Sequence, residues 1–282
     1  MLTINELERV ILAPVILSAI IAAIGLWRSW RWAMPLAAGA GFCLGYALIG
    51  VPQLPPQDGT DWLFWLAAPV TILGVLDAVF ATRVGWLAGA AAGGAVAVLL
   101  RPLLVSGSVS PREYWLVAAA LAGMGAVLCL VVDVAASRLG SYAAIGALCM
   151  AMGGAAVVVL SSNSRIGGVY GLAAAAALGP AAVLSGRLLV GRSVAIVAVP
   201  LLAGSLAGGH YYADPGVSWV NLGVLMASPL LLLAGLAVPG KKKWIRAAVA
   251  LVLVAIAVGI VAAPTALAAK KAAEADTNDP YK

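Results

Sequence analysis

The chain has 282 residues, 63% of them hydrophobic and 10% charged, with a mean hydropathy of +1.06 and a formal net charge of +6. That balance excludes an ordinary soluble domain, in which roughly a quarter of residues are charged, and predicts a multi-pass membrane protein. The positive charges sit singly or in short runs between apolar stretches, a pattern that orients a protein in a bilayer and does not point to nucleic acid.

The N-terminus, residues 1–9, carries more acid than base ahead of the first apolar run. Cleaved signal peptides begin with basic residues, so this run is read as a retained span. Further on, charges and turn residues interrupt the apolar sequence about every 20 to 25 residues, close to the length a helix needs to cross roughly 30 Å of hydrocarbon. Spans are predicted at 10–27, 33–51, 62–80, 84–105, 114–135, 140–160, 166–186, 193–209, 219–239 and 245–269, with 193–209 the shortest. Short alternating segments of a β-barrel are not seen. The predicted fold is therefore all-α, a polytopic transmembrane helical bundle of about ten spans over residues 1–269. A polar C-terminal tail at 270–282, rich in Ala, Lys, Glu, Asp and Asn, is expected to be disordered.

Charge in the connections sets the orientation. The odd-numbered connections hold Arg28, Arg31, Arg83, Arg138, Arg187, Arg192, Lys241, Lys242, Lys243 and Arg246; the even ones hold Arg112 and Arg165, with Arg9 at the N-terminus. Ten against three places the odd connections in the cytoplasm and both termini outside. Lys270 and Lys271 pull the other way, but four positive charges before the last span outweigh two after it. The two longer outer connections, 52–61 and 210–218, run into Trp62 and Trp219, and another outer segment carries Tyr114 and Trp115; these rings read as an interfacial belt.

Small residues at four-residue spacing, Gly85, Gly89 and Gly93, Gly41 with Gly45, Gly167 with Gly171, and Gly204 with Gly208, predict close helix contacts. Pro69, Pro180, Pro200 and Pro229 fall near the middle of spans, where a missing N–H opens the hydrogen-bond ladder. Freed carbonyls at such breaks hold ions or substrates in discontinuous transporter helices, although membrane helices also tolerate proline without any such role.

Three charged residues lie inside predicted spans: Asp77, Arg101 and Asp133. At 1.5 Å per residue Asp77 lies about 9 Å from the bilayer centre, and Arg101 lies about as far on the opposite side, so the two cannot pair. Asp133 matches Asp77 in depth. Each has a plain reading as an interfacial side chain that snorkels or pairs with a loop arginine, such as Asp77 with Arg83; if Asp77 faces the bundle, it is the candidate carboxylate for proton or cation coupling. The GxGD signature of intramembrane aspartyl proteases is missing at both aspartates. On the outer side, His210 and Asp214 with Asp58 and Asp61 of the other long connection are the residues that could form a cation-attracting cluster, against a plain reading as solvated turns.

Cys43, Cys129 and Cys149 all lie in spans without a CxxC pair, which argues against a disulfide framework or zinc site, and no metal or cofactor is expected. A serine nucleophile would need a base, and no histidine lies inside the membrane; HExxH, P-loop and GxGxxG patterns are missing too, so an enzyme is not expected. No five-plus-five inverted repeat aligns. In size and span count alone the chain resembles small secondary carriers of the drug/metabolite type, from whose cytoplasmic termini its own depart.

The reading from sequence is an integral membrane protein, expected in a bacterial cytoplasmic membrane, that carries a small solute, with Asp77 and the proline-bearing spans as working parts. The competing reading is a non-catalytic scaffold or anchoring subunit of a membrane complex. Expected partners are the lipid bilayer, a small solute, and a second copy or another membrane subunit, with no nucleic acid.

Overall fold

Uninterrupted apolar sequence leaves the backbone no water to bond with, and helices satisfy it internally. In a computed structural model, residues 4–50, 56, 61–80, 85–162, 165–186, 188–213, 216–239 and 242–277 are described, the backbone alone at 4–7, 85–90, 92, 165–166 and 272–277. Every regular element among them is helical: α1 (Ile4–Arg28), α2 (Ala33–Ile49), α3 (Asp61–Phe80), α4 (Gly85–Val105), α5 (Pro111–Arg138), α6 (Ser141–Ser161), α7 (Arg165–Leu184), α8 (Gly191–Tyr211), α9 (Trp219–Ala227), a 3-10 turn (Ser228–Leu231), α10 (Leu232–Ala237) and α11 (Lys243–Thr277). The all-α bundle is thus as expected, and each predicted span corresponds to one helix, the ninth being α9 and α10 joined by the 3-10 turn. Eight of these segments are long and apolar enough to cross a membrane; Ala33–Ile49 and Gly93–Val105 are shorter apolar stretches. The chain is an integral multi-pass membrane protein.

Local chemistry fixes several helix ends. Ser110 caps α5 by accepting from the Glu113 amide at 3.2 Å, with Pro111 at the first helical position, and Ser218 caps α9 through Asn221 in the same way. Between α5 and α6 the chain turns at Gly140, whose φ of +110° suits glycine. Past its predicted end at 269, α11 continues as helix to Thr277, through the first part of the segment expected to be disordered.

Small residues bring the helices together. Gly41 and Gly45 of α2 lie against Ala177 and Ala173 of α7, an antiparallel contact in which an added Cβ would sit 2.7 and 2.5 Å from those methyl groups. Gly93 of α4 meets Ala122 of α5 likewise, and Gly171 of α7 meets Ala156 of α6. Gly204 faces Leu63. At Gly85 and Gly89 the backbone alone is described. Large apolar side chains point outward instead: Leu12, Ile16, Ile20 and Ile24 line one face of α1, and Val252, Ile256 and Ile260 one face of α11. Exposed stripes of that length suit lipid and not water.

The span predicted to be shortest, α8, is the centre of the bundle. Of its 18-residue apolar window 89% is buried, with α2 to α7 around it. It is rich in Ala, Gly and Val because neighbours crowd it on every side.

Contacts between connections sort them into two ends. Ser141, after the α5–α6 turn, donates to the Leu188 carbonyl in the α7–α8 connection, and Leu26 and Ser29 of the α1–α2 turn line a cleft with Val183 and Leu188. Gly235 of α10 packs beside Leu139. At the opposite end, Tyr46 near the close of α2 meets Asp61 at the start of α3, and Tyr211 closing α8 meets Glu113 opening α5. The arginine-rich odd connections share one end, which we call the cationic end.

Candidate functional site

Asp77 lies in the last turn of α3, 2% exposed. A carboxylate there opposes the dipole of its own helix. It is held by the start of α8, where the dipole favours an anion and two side chains converge. Ser193 donates its hydroxyl to Oδ2 at 2.7 Å, and Arg192 donates Nε–H to the same oxygen at 3.1 Å. Nη2 of Arg192 stands 3.0 Å from Oδ1, yet Oδ1 has no hydrogen bond among the described residues, so that contact is charge pairing off the N–H line.

Two features of the sequence permit this approach. Gly74, one turn before Asp77, leaves room for the α8 backbone: a Cβ there would lie 2.7 Å from the Ser193 carbonyl oxygen. Arg192 is the second residue of α8, so its long side chain reaches inward from the helix end while keeping 23% exposure.

Asp133 of α5 completes a trio. Its Oδ2 is 3.9 Å from Nη1 of Arg192, and its side chain is 51% exposed. One guanidinium therefore stands between a buried carboxylate that it binds closely and an accessible one at the edge of contact. The equal depth expected for the two aspartates is what lets one arginine reach both. Arg83, the loop partner considered for Asp77, lies outside the described residues. Arg192 and Ser193 were not singled out from sequence; Arg192 read only as an orienting charge. The available signal was an Arg-Ser pair opening a span at the depth where Asp77 closes another.

The four prolines divide between the two readings the sequence offers. The helix continues through Pro69, Pro180 and Pro200, and only Pro229 interrupts one, inside the 3-10 turn between α9 and α10. Its freed carbonyl is not left open, because Ser228 donates its hydroxyl to the Leu225 carbonyl at 2.9 Å. Near Pro180, Ser18 donates to Ala177 O at 2.6 Å and Cys149 to Ala175 O at 3.3 Å. These two bonds fall on either side of Ala176 O, the carbonyl that Pro180 leaves without its amide.

At the end opposite the cationic one, Asp61 and His210 have different partners. Asp61 accepts from the Tyr46 hydroxyl at 2.7 Å, and the Tyr46 ring stacks on Tyr170 at 4.1 Å with an 11° tilt, joining α2, α3 and α7. His210 bonds through Nδ1 to the Val217 carbonyl and packs 4.0 Å from the Trp219 ring, which ties the end of α8 to the start of α9. Asp58 and Asp214 lie outside the described residues. A pair not anticipated from sequence, Tyr211 donating to Glu113 at 2.9 Å, ties α8 to α5.

Three cavities bear on a pathway. One of about 350 Å³ lies between α5 and α9, one of about 170 Å³ between α3 and α4, and one of about 440 Å³ between the α1–α2 and α7–α8 turns. None of these three lies among α3, α7, α8 and α9, where the sequence places the working parts. No protein-family model, curated protein or solved structure matches the chain.

Proposed function

We propose that the protein is a secondary carrier for a small solute, closed in this conformation, with Arg192 as the movable charge of its cationic-end gate. The observation that carries this reading is the sharing of Arg192 between Asp77 at 3.0 Å and Asp133 at 3.9 Å. A buried ion pair adds little to stability compared with apolar packing of the same volume, so charges kept inside a membrane span point to function. In the closed state Arg192 neutralises Asp77. Arrival of a proton or a cationic solute at Asp77 frees the arginine toward Asp133, and the contact between α3 and α8 loosens. By the arginine bias this gate faces the cytoplasm, and the expected location is a bacterial cytoplasmic membrane.

The test uses purified protein in liposomes containing a pH-sensitive dye, under an imposed membrane potential, with a panel of amino acids, sugars and lipophilic cations outside. The carrier reading expects proton or solute movement in the wild type. In Asp133→Asn it expects flux lower by roughly tenfold, the effect of about 1.4 kcal/mol on the exchange barrier. Wild-type flux that Asp133→Asn leaves unchanged contradicts the gate.

The solid packing around α8 favours a second reading, a non-catalytic scaffold for other membrane subunits. That reading expects no flux with any solute and a stoichiometric partner retained in mild detergent.

A further inference from the structure

The α1–α2 turn is built at some strain. Ser29 has φ +56° and is the only non-glycine residue with positive φ among the described residues. It occupies the left-handed position that closes α1, with Trp30 N–H bonded to Gly25 O at 2.7 Å and Ser29 N–H to Leu26 O at 3.2 Å. Glycine is the residue this position favours, so a serine here suggests a use for its side chain.

That side chain lines the cleft of about 440 Å³ between this turn and the α7–α8 connection. The cleft is amphipathic. Leu26, Val183, Leu184 and Leu188 give it apolar walls, while Ser29 and Gly186 form its polar part. Arg28 and Arg31 flank Ser29 and are exposed, and neither 28–33 nor 185–191 contains an Asp or Glu. The Arg28 guanidinium lies 4.8 Å from the Trp27 ring, and Trp30 stacks on Trp32 at 5.1 Å, an aromatic cluster of the kind that sits at headgroup level.

From apolar walls, exposed arginines on either side of Ser29 with no acid in either turn, and interfacial rings in the same turn, we infer that the cleft binds an anionic phospholipid. Its phosphate is held by Arg28, Arg31 and the Ser29 hydroxyl, and one acyl chain lies along Leu26, Val183 and Leu188. A soluble anion would have no use for the apolar walls, and a zwitterionic lipid would bring a cation toward the two arginines. This inference stands apart from the carrier reading, because it concerns binding at the cationic end and not flux.

The experiment measures lipid retained by the full-length protein in detergent, by native mass spectrometry. The probes are phosphatidylglycerol, phosphatidylcholine with the same acyl chains, and glycerol phosphate. Phosphatidylglycerol is expected to be retained in preference to phosphatidylcholine, and glycerol phosphate not at all. Each of Arg28→Gln and Arg31→Gln should weaken retention about fivefold, the effect of one arginine near an anionic surface. Ser29→Gly, which relieves the turn and so keeps the fold, should weaken it by a similar factor of about five through loss of one hydrogen bond. Equal retention of the two lipids, wild-type retention in the double arginine variant, or glycerol phosphate binding as well as the lipid would each overturn the assignment.

Discussion

Arg192 faces two carboxylates and stands closer to the buried one, with Nη2 3.0 Å from Asp77 Oδ1 and Nη1 3.9 Å from Asp133 Oδ2. Arg192→Gln strands the buried Asp77 carboxylate and should destabilise the protein by about 3 to 5 kcal/mol, whereas Asp77→Asn leaves an arginine that keeps 23% exposure beside Asp133 and should cost less, about 1 to 3 kcal/mol. The double variant should cost far less than the sum, with a coupling of about 2 kcal/mol or more in denaturant titrations in mixed micelles. Additive costs would mean that the pair does not exist in the membrane. Asp133→Asn touches a half-exposed contact and should change stability by less than about 0.5 kcal/mol. Stability and flux are thereby separated at Asp133. Ser29→Gly should raise stability by roughly 1 kcal/mol, since glycine accepts the left-handed backbone that serine resists; a drop would show that the hydroxyl holds the turn together.

Helix contacts in this bundle are set by where glycine lets one backbone meet another. Gly74→Ala drives a methyl group against the Ser193 carbonyl, which belongs to the α8 backbone and cannot rotate away. It should cost about 1 to 3 kcal/mol and loosen the Asp77 site. A methyl group added at Gly94 would meet nothing within 4 Å, so Gly94→Ala should be neutral or stabilise its helix by up to about 1 kcal/mol. Comparing the two melting temperatures tests whether packing or helix propensity decides. Much at this scale was legible in sequence, because span length and the arginine bias follow from the bilayer itself. The Gly41 and Gly45 contact was legible as spacing, though its partner on α7 was not. The sequence left the prolines open between breaks and tolerated positions, because what decides is whether neighbouring helices hold the proline-bearing helix in line; α3, α7 and α8 run on through theirs, and only Pro229 sits at an interruption. Arg192 was missed because a sequence shows that a charge ends a helix but not which other helix ends beside it.

Taken whole, the molecule has two unlike ends joined by a packed apolar middle. The cationic end holds the Asp77, Arg192 and Asp133 trio and the Ser29 cleft, and the other holds the Tyr46–Asp61 and Tyr211–Glu113 bonds. The central place of α8 could not be read from its sequence, since a helix buried on all sides has no polar face to mark its orientation. The sequence instead marked it as the shortest span. The depth of Asp77, the proposed gate and the proposed lipid site all depend on ten crossings that bring every odd connection to one side.

Compartment-specific labelling tests that directly. Cys43, Cys129 and Cys149 are first replaced by alanine, and single cysteines are then introduced as Ser137→Cys, Gly186→Cys, Ser108→Cys and Ser218→Cys. In intact cells or sealed vesicles, an impermeant thiol reagent should modify Ser108→Cys and Ser218→Cys from one side, and Ser137→Cys and Gly186→Cys only from the other. Modification of Ser137→Cys and Ser218→Cys from the same side would contradict the ten-span arrangement.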